Sequence, residues 1–157
     1  MGVAIRPLRP GDLDQLVELW KALAVEGSPG DLVLYPPTDD NAARWRSWVA
    51  SAVEKGEIAV LVAEAGGLIV GYVLFGERKS PLKSPYRRGV IHDLYVRPGW
   101  RGKGIGRRLL EGALDRMRAW GLDMATISVA TTNQVAIGLY RRLGFKDFML
   151  TLVRRLK

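Results

Sequence analysis

The sequence of 157 residues contains no cysteine and a single histidine, His92. Without cysteine the chain can form no disulfide, no thiol nucleophile and no thiolate metal site. A histidine-built metal centre needs more than one imidazole, so the sequence predicts no bound metal. Any chemistry must therefore use oxygen groups, backbone amides or the imidazole of His92.

Long apolar runs are also missing. No uncharged apolar stretch approaches the roughly 18 residues that a membrane-spanning helix needs. Met1 to Pro10 lacks the apolar core of a secretion signal. These two features predict a soluble, cytoplasmic protein with no membrane partner.

Acidic residues are outnumbered, because 16 Asp and Glu face 24 Lys and Arg and the formal net charge is +8. A positive surface favours anionic partners such as phosphates. The net charge, taken alone, also suits a nucleic-acid-binding protein. However, no unbroken basic run is interleaved with aromatic residues, so the sequence predicts no specific nucleic-acid partner.

What the chain does contain is typical of one globular domain, expected over residues 1–157, with 48% hydrophobic and 25% charged residues. Hydrophobic periodicity predicts the order β, α, α, β, β, β, α, β, α, β. This order indicates an α/β fold of the α+β type, with a mixed, mostly antiparallel sheet and helices on both faces. The predicted strands are Val3–Leu8, Ile58–Ala63, Leu68–Phe75, Val90–Val96, Met124–Ala130 and Phe145–Arg154.

A glycine-rich stretch, Val96 to Arg107, connects a predicted strand directly to a predicted helix. The first N–H groups of a helix lack intrahelical acceptors and carry partial positive charge, so such a junction binds anions. The stretch contains no Walker A pattern, and the nucleotide-binding GxGxxG pattern would need glycine where Arg107 stands. Glycines alone would equally suit a tight turn, but the basic residues beside them favour a phosphate site.

Two motifs resemble the GCN5-related N-acetyltransferases. Arg101-Gly102-Lys103-Gly104-Ile105-Gly106 is similar to the acyl-CoA signature [QR]xxGx[GA] of that family. Residues 133–145, NQVAIGLYRRLGF, are similar to its NxxAxxLYxxxGF segment. The resemblance implies a sheet whose central parallel strands splay apart and leave a V-shaped cleft for acetyl-CoA, the co-substrate.

The resemblance also implies which residues hold the co-substrate. Main-chain N–H groups in the segment that contains Arg101, Gly102, Lys103, Gly104, Ile105, Gly106 and Arg107 would bind its diphosphate. Pantetheine would lie along Leu94, Tyr95 and Val96, with an N–H of Tyr95 or Val96 polarising the thioester. Asn133 would donate a hydrogen bond to pantetheine, although a helix N-cap explains that residue equally well.

For catalysis, the resemblance implies that Tyr140 is the general acid that protonates the departing thiolate. A core aromatic residue is the alternative interpretation of Tyr140. His92 is the better candidate for the general base, since a neutral imidazole can accept a proton near neutral pH. Asp93 and a water chain are alternatives, because some family members have Glu-Asp where this chain has His92-Asp93. Strand alternation predicts His92 and Leu94 on one face and Asp93 and Tyr95 on the other.

The expected function is N-acetyltransferase activity, in which a primary amine of a small molecule or protein attacks acetyl-CoA directly in a ternary complex. A non-catalytic acyl-CoA-binding regulatory module is the alternative, supported by the missing family Glu. The loops expected to receive the amine are Glu26–Asp40 and Glu77–Arg88. A homodimer is a further possibility, since dimers are common in the family.

Overall fold

The computed structural model describes residues 2–29 and 31–157, and this part contains five strands and four α-helices. Two short 3₁₀ turns, Pro10–Asp12 and Pro98–Trp100, precede α1 and α3. Within the described residues, no helix is long and apolar enough to cross a membrane. In chain order the elements are β1 Ala4–Pro7, α1 Leu13–Glu26, α2 Asp39–Glu54, β2 Ile58–Ala65, β3 Leu68–Glu77, β4 Arg88–Val96, α3 Ile105–Ala119, β5 Met124–Ile127 and α4 Gln134–Arg142.

The five strands form one sheet in the order β1-β2-β3-β4-β5. The first three pairings are antiparallel, and β4 pairs with β5 in parallel. Gly66 and Gly67 close the β2–β3 hairpin with φ values of 56° and 85°, as a type I′ turn requires. The predicted mixed, mostly antiparallel sheet is therefore confirmed.

Helices cover both faces of the sheet, as the sequence predicts. On one face, α3 and α4 pack with side chains that include Val73, Phe75 and Ile91. On the other face, α1 and α2 pack with side chains that include Val62, Tyr72 and Tyr95. Since strand side chains alternate between faces, a strand buried on both sides is apolar almost throughout. Strand β3 is buried on both sides, and this explains its almost continuous apolar sequence.

The splay of the central strands is visible in the pairing of β4 and β5. Their parallel register runs from Arg88↔Met124 to Ile91↔Ile127 and stops there. Strand β4 continues to Val96, whereas β5 ends at Ile127 rather than at Ala130, the end predicted from sequence. The two strands thus leave a cleft between the second half of β4 and the residues that follow β5.

A β-bulge in β4 makes its side-chain alternation differ from the one predicted from the sequence. Leu74 pairs with Asp93 while Phe75 pairs with Ile91, so His92 is an extra residue in β4. Ile91 consequently packs on the α3 face together with Leu94, while Asp93 contacts Tyr72 on the opposite face. His92 contacts Trp48 of α2 and lies on this second face too. The bulge therefore separates His92 from Leu94, because an inserted residue shifts every side chain beyond it to the other face.

The predicted last strand, Phe145–Arg154, is wrong for this structure. Residues 145–157 have no regular secondary structure. Phe145 packs against Tyr140, and Asp147 accepts a hydrogen bond from Arg141 at 3.1 Å. These contacts hold the start of the segment against α4, where it has no strand to pair with. Strand propensity alone does not make a strand, since a strand requires hydrogen bonds from a neighbour.

Candidate functional site

The N-terminus of α3 presents backbone N–H groups for which the described residues provide no acceptor. The first helical hydrogen bond runs from Arg108 N to Gly104 O, which leaves the N–H groups of Ile105, Gly106 and Arg107 without intrahelical partners. Within residues 2–29 and 31–157, no acceptor is found for the N–H groups of Gly102, Lys103 and Gly104 either. The side chain of Ile105 is buried in the core and anchors this end of the helix.

Two glycines in the loop have conformations that other residues rarely adopt. Gly102 has a φ of 75° and Gly104, the N-cap of α3, has a φ of 80°. A Cβ added at either position would meet no atom of the described chain within 4 Å. The open space beside free N–H donors has the shape and polarity that an anion such as a diphosphate needs.

The basic side chains of this loop already have protein partners. Lys103 Nζ lies 5.1 Å from the centroid of the Trp100 ring. Arg107 Nε donates to Glu111 Oε1 at 2.9 Å. Arg101 donates to Val96 O and to Glu26. The candidate anion-binding donors of this loop are therefore the backbone N–H groups and the Nη1 group of Arg101, for which the described residues provide no acceptor.

A cavity of about 310 Å³ lies in the cleft between β4 and the residues after β5. Its walls are His92, Asp93 and Leu94 of β4, together with Asn133 and Tyr140 of the α4 region. The end of α1, the loop that follows it and residues 127–130 complete the lining. The structure thus brings Tyr140, His92, Leu94 and Asn133 together, and the fold places the N-terminus of α3 beyond the far end of β4.

Tyr140 and Asn133 are two turns apart on one side of α4. Asn133 is the N-cap, and its Oδ1 accepts from the N–H of Ala136 at 3.1 Å, so the predicted capping role is present. Tyr140 is only 8% exposed and packs against Phe145. Tyr140 lines the cavity, and its hydroxyl has no hydrogen-bond partner among the described residues. Burial raises the pKa of Tyr140 to about 12, so the phenol is protonated at neutral pH.

His92 lies on the bulge of β4, on the solvent-exposed side of the cavity. Its ring meets Trp48 edge-on, with the ring centroids 6.4 Å apart. Partial burial of the imidazole, and then the positive charge of Arg78, lower the pKa of His92 from its usual value of 6.5. His92 is therefore neutral at pH 7, as a proton acceptor must be.

Asp93, the neighbour of His92, is held by Tyr72 of β3. The Tyr72 hydroxyl donates to Asp93 Oδ2 at 2.9 Å. Burial raises the pKa of Asp93 to about 6, despite the opposing effect of the hydrogen bond from Tyr72. Because burial disfavours the charged form of Asp93, ionisation of this carboxylate at neutral pH lowers the stability of the folded protein.

Asp93→Asn is expected to stabilise the protein at pH 7. Because the pKa of Asp93 is about 6 in the folded state and 3.8 as a reference, the folded state binds more protons between these values. Stability therefore falls as the pH rises through this window, and asparagine removes the loss while still accepting from Tyr72. We expect a gain of about 1–3 kcal/mol at pH 7 and none at pH 3.5, measured by urea unfolding.

The exposed Asp115→Asn is the matched control for this measurement, and we expect it to change the free energy of unfolding by less than about 0.5 kcal/mol at either pH. A loss of stability in Asp93→Asn at pH 7 would contradict the assignment of an energetically costly carboxylate at this position.

The family profile for the acetyltransferase (GNAT) family matches residues 16–145 of the chain. The chain belongs to this family. The GNAT membership confirms the resemblance drawn from the two motifs, and with it the expected activity of an acetyl-CoA-dependent N-acetyltransferase. The matched range contains the glycine-rich loop, the cavity and α4.

Individual relatives agree with this assignment. The L-methionine sulfoximine/L-methionine sulfone acetyltransferase of Pseudomonas aeruginosa is 29% identical over 146 residues, which cover 93% of this chain and 81% of that protein. The L-amino acid N-acyltransferase MnaT of Escherichia coli is 37% identical over 86 residues, 55% of this chain and 49% of that protein.

A solved structure gives the same fold. The aminoglycoside N-acetyltransferase AAC(6')-Iy in complex with CoA superimposes with a TM-score of 0.77 at 16% sequence identity. The superposition covers 98% of this chain and 94% of that chain. The splayed GNAT sheet expected from the sequence is thus confirmed.

Sequence reasoning missed two parts of this GNAT site. The hydrogen bond between Tyr72 and Asp93 joins two strands, and no local pattern signals it. The carboxylate of Glu26 contacts Tyr95 and Arg101 from the end of α1, far away in the sequence. A lone glutamate at a helix end gives no signal of such a contact.

Proposed function

We propose that this GNAT enzyme acetylates the primary amine of a small molecule within the cavity beside β4. The observation that carries the proposal is the convergence of Tyr140, Asn133 and His92 on one cavity, next to the half of β4 that has no pairing with β5. The diphosphate of acetyl-CoA would be held by the free N–H groups at the start of α3. Pantetheine would extend along Leu94, Tyr95 and Val96 towards Asn133.

In the proposed mechanism, His92 accepts a proton from the bound ammonium group or from a water molecule beside it. The amine nitrogen then forms a bond to the acetyl carbon, and the bond from that carbon to sulfur breaks. Tyr140 donates its hydroxyl proton to the departing sulfur, which gives the neutral thiol. The nitrogen of the product still carries one extra proton, and transfer of that proton through water to the Tyr140 oxygen gives the neutral amide and restores the phenol. Each group begins in the required state, since the imidazole is neutral and the phenol protonated at pH 7.

The size of the cavity and the names of the relatives support a small acceptor. A volume of about 310 Å³ is at the lower end of the usual range for small-molecule sites. Two relatives are named for acetylation or acylation of amino acids or their analogues. We therefore propose an acceptor of amino-acid size, with a protein amine as the alternative.

A thiol-release assay with acetyl-CoA and a panel of amines tests this function. Free amino acids, an unblocked peptide, a polyamine and an aminoglycoside represent the acceptor classes, and calorimetry with CoA reports co-substrate binding separately. We expect turnover with at least one free amino acid. Binding of CoA without amine-dependent thiol release would instead favour the non-catalytic module.

His92→Ala is expected to lower kcat/KM about tenfold at pH 7, because a water chain takes over part of the proton transfer. Activity of the wild-type enzyme should fall as the pH drops through the pKa of the base, since a protonated imidazole accepts no proton. We expect this fall of kcat/KM at low pH to disappear in His92→Ala and to persist in Asp93→Asn. Profiles of kcat/KM between pH 5 and 9 measure it. The reverse pattern would identify Asp93 as the base.

The expected homodimer and cytoplasmic location are part of the proposal and are tested separately. Light scattering coupled to gel filtration gives the mass in solution, against 17.4 kDa for one chain. Fractionation of the source cells gives the location.

A further inference from the structure

Glu26, the last residue of α1, has its carboxylate between two groups of the predicted co-substrate site. Its Oε2 accepts a short hydrogen bond from the Tyr95 hydroxyl. Its Oε1 accepts from Nη2 of Arg101 at 3.2 Å. Helix α1, whose end lines the cavity, is thus joined to β4 and to Arg101 of the glycine-rich stretch.

The guanidinium of Arg101 is held on three sides. Nε donates to Val96 O at 2.7 Å, Nη2 donates to Glu26, and the group stacks over the ring of Tyr95 at 5.2 Å from its centroid. No acceptor for Nη1 lies within the described part of the chain. Because guanidinium donors have fixed directions, contacts at Nε and Nη2 determine where the free Nη1 donor points.

We propose that Glu26 is a positioning residue that orients Arg101 for binding the diphosphate of CoA. The inference rests on the proposed co-substrate site at the start of α3. Arg101 lies directly before Gly102, where the row of N–H groups that runs to Arg107 begins. In this proposal its Nη1 donates to the same diphosphate as those N–H groups. Tyr95 completes the arrangement by holding both the carboxylate of Glu26 and the face of the guanidinium.

This proposal and simple electrostatics predict opposite effects of Glu26→Gln on the affinity for CoA. Glu26→Gln removes a negative charge near a polyanionic ligand, and by Coulomb's law alone this change strengthens CoA binding. If Glu26 instead fixes Arg101, the same change releases a long side chain, and ordering it again on binding weakens affinity. Glutamine still accepts from Tyr95, so the variant specifically weakens the contact with Arg101.

Calorimetry with CoA on the full chain tests the proposal. We expect Glu26→Gln to raise the Kd of CoA about fivefold. Glu18→Gln, at an exposed residue of the same helix that pairs with Lys21, is the matched control and should change the Kd by less than twofold. In an Arg101→Ala background, Glu26→Gln should have almost no effect, because its target is gone.

Three results would overturn the proposal. One is an equal or lower Kd in Glu26→Gln, and another is the same loss of affinity with and without Arg101. If Glu26→Gln fails to fold, Tyr95→Phe removes the other hydrogen bond to the carboxylate while keeping the ring under Arg101. We expect it to raise the Kd about twofold, and an unchanged Kd is the third contrary result. Absence of CoA binding by the wild-type protein would refute the proposed co-substrate site itself.

Discussion

Tyr140→Phe is expected to lower kcat by about 100-fold or more while the Kd of CoA stays within twofold of the wild-type value. Tyr140 lines the cavity, and the substitution removes only its hydroxyl and keeps the ring that packs against Phe145. A general acid contributes about 10²–10⁴-fold to a rate. Without it, the thiolate must leave unprotonated or take its proton from water. Steady-state kinetics with saturating acetyl-CoA and calorimetry with CoA measure the two quantities.

The pH dependence supplies a second check on Tyr140. Because burial raises the pKa of Tyr140 to about 12, the phenol keeps its proton throughout the usual assay range. The wild-type enzyme should therefore show no loss of kcat from this group below about pH 10. Tyr86→Phe, which removes the hydroxyl of a tyrosine that is 60% exposed in the loop before β4, is the control and should leave kcat unchanged. A kcat for Tyr140→Phe close to that of the wild type would eliminate Tyr140 as the acid.

Gly104→Ala is expected to raise the Kd of CoA by about 10- to 100-fold. Gly104 caps α3 with a φ of 80°, and its missing Cβ leaves open space beside the free N–H groups. A methyl group there would occupy the space expected for the diphosphate. It would also favour a change of backbone conformation that turns the N–H groups away. Loss of one charge-assisted hydrogen bond, about 1.5–3 kcal/mol, accounts for the expected range.

Gly56→Ala is a matched control for the backbone strain. Gly56 has a φ of 71° and follows α2, and a Cβ added there also meets nothing within 4 Å. Both variants should lose about 1–2 kcal/mol of stability, since both force alanine into a left-handed conformation. Only Gly104→Ala should lose CoA affinity. A similar Kd for the two variants in calorimetry would show that the diphosphate binds elsewhere.

Local patterns predicted the positions of most elements. Turns, glycines and 3.6-residue periodicity depend on neighbours in the chain. The four predicted helices appear in the expected order, and strands appear near the predicted ranges Ile58–Ala63, Leu68–Phe75 and Val90–Val96. The glycine-rich junction is also predictable from local sequence, because it needs only the end of a strand, flexible residues and the start of a helix. The spacing of Asn133 and Tyr140 on one helix is likewise a property of local geometry.

Contacts between distant residues decided the features that sequence reasoning missed. The bulge at His92 exists because β3 and β4 are out of step between Leu74 and Phe75, and a register is a property of two strands. The segment that follows Phe145 has the apolar pattern of a strand but no strand beside it. Its side chains therefore stay exposed, for example Leu152 at 83%.

The sequence by itself determined the family, the candidate diphosphate-binding loop and the candidate acid, because each depends on residues close together in the chain. Only the tertiary structure decided which face His92 occupies, why the pKa of Asp93 is raised and what holds Arg101. Those properties depend on burial and on partners such as Tyr72 and Glu26. Such partners lie far apart in the sequence, and only folding brings their side chains within hydrogen-bonding distance.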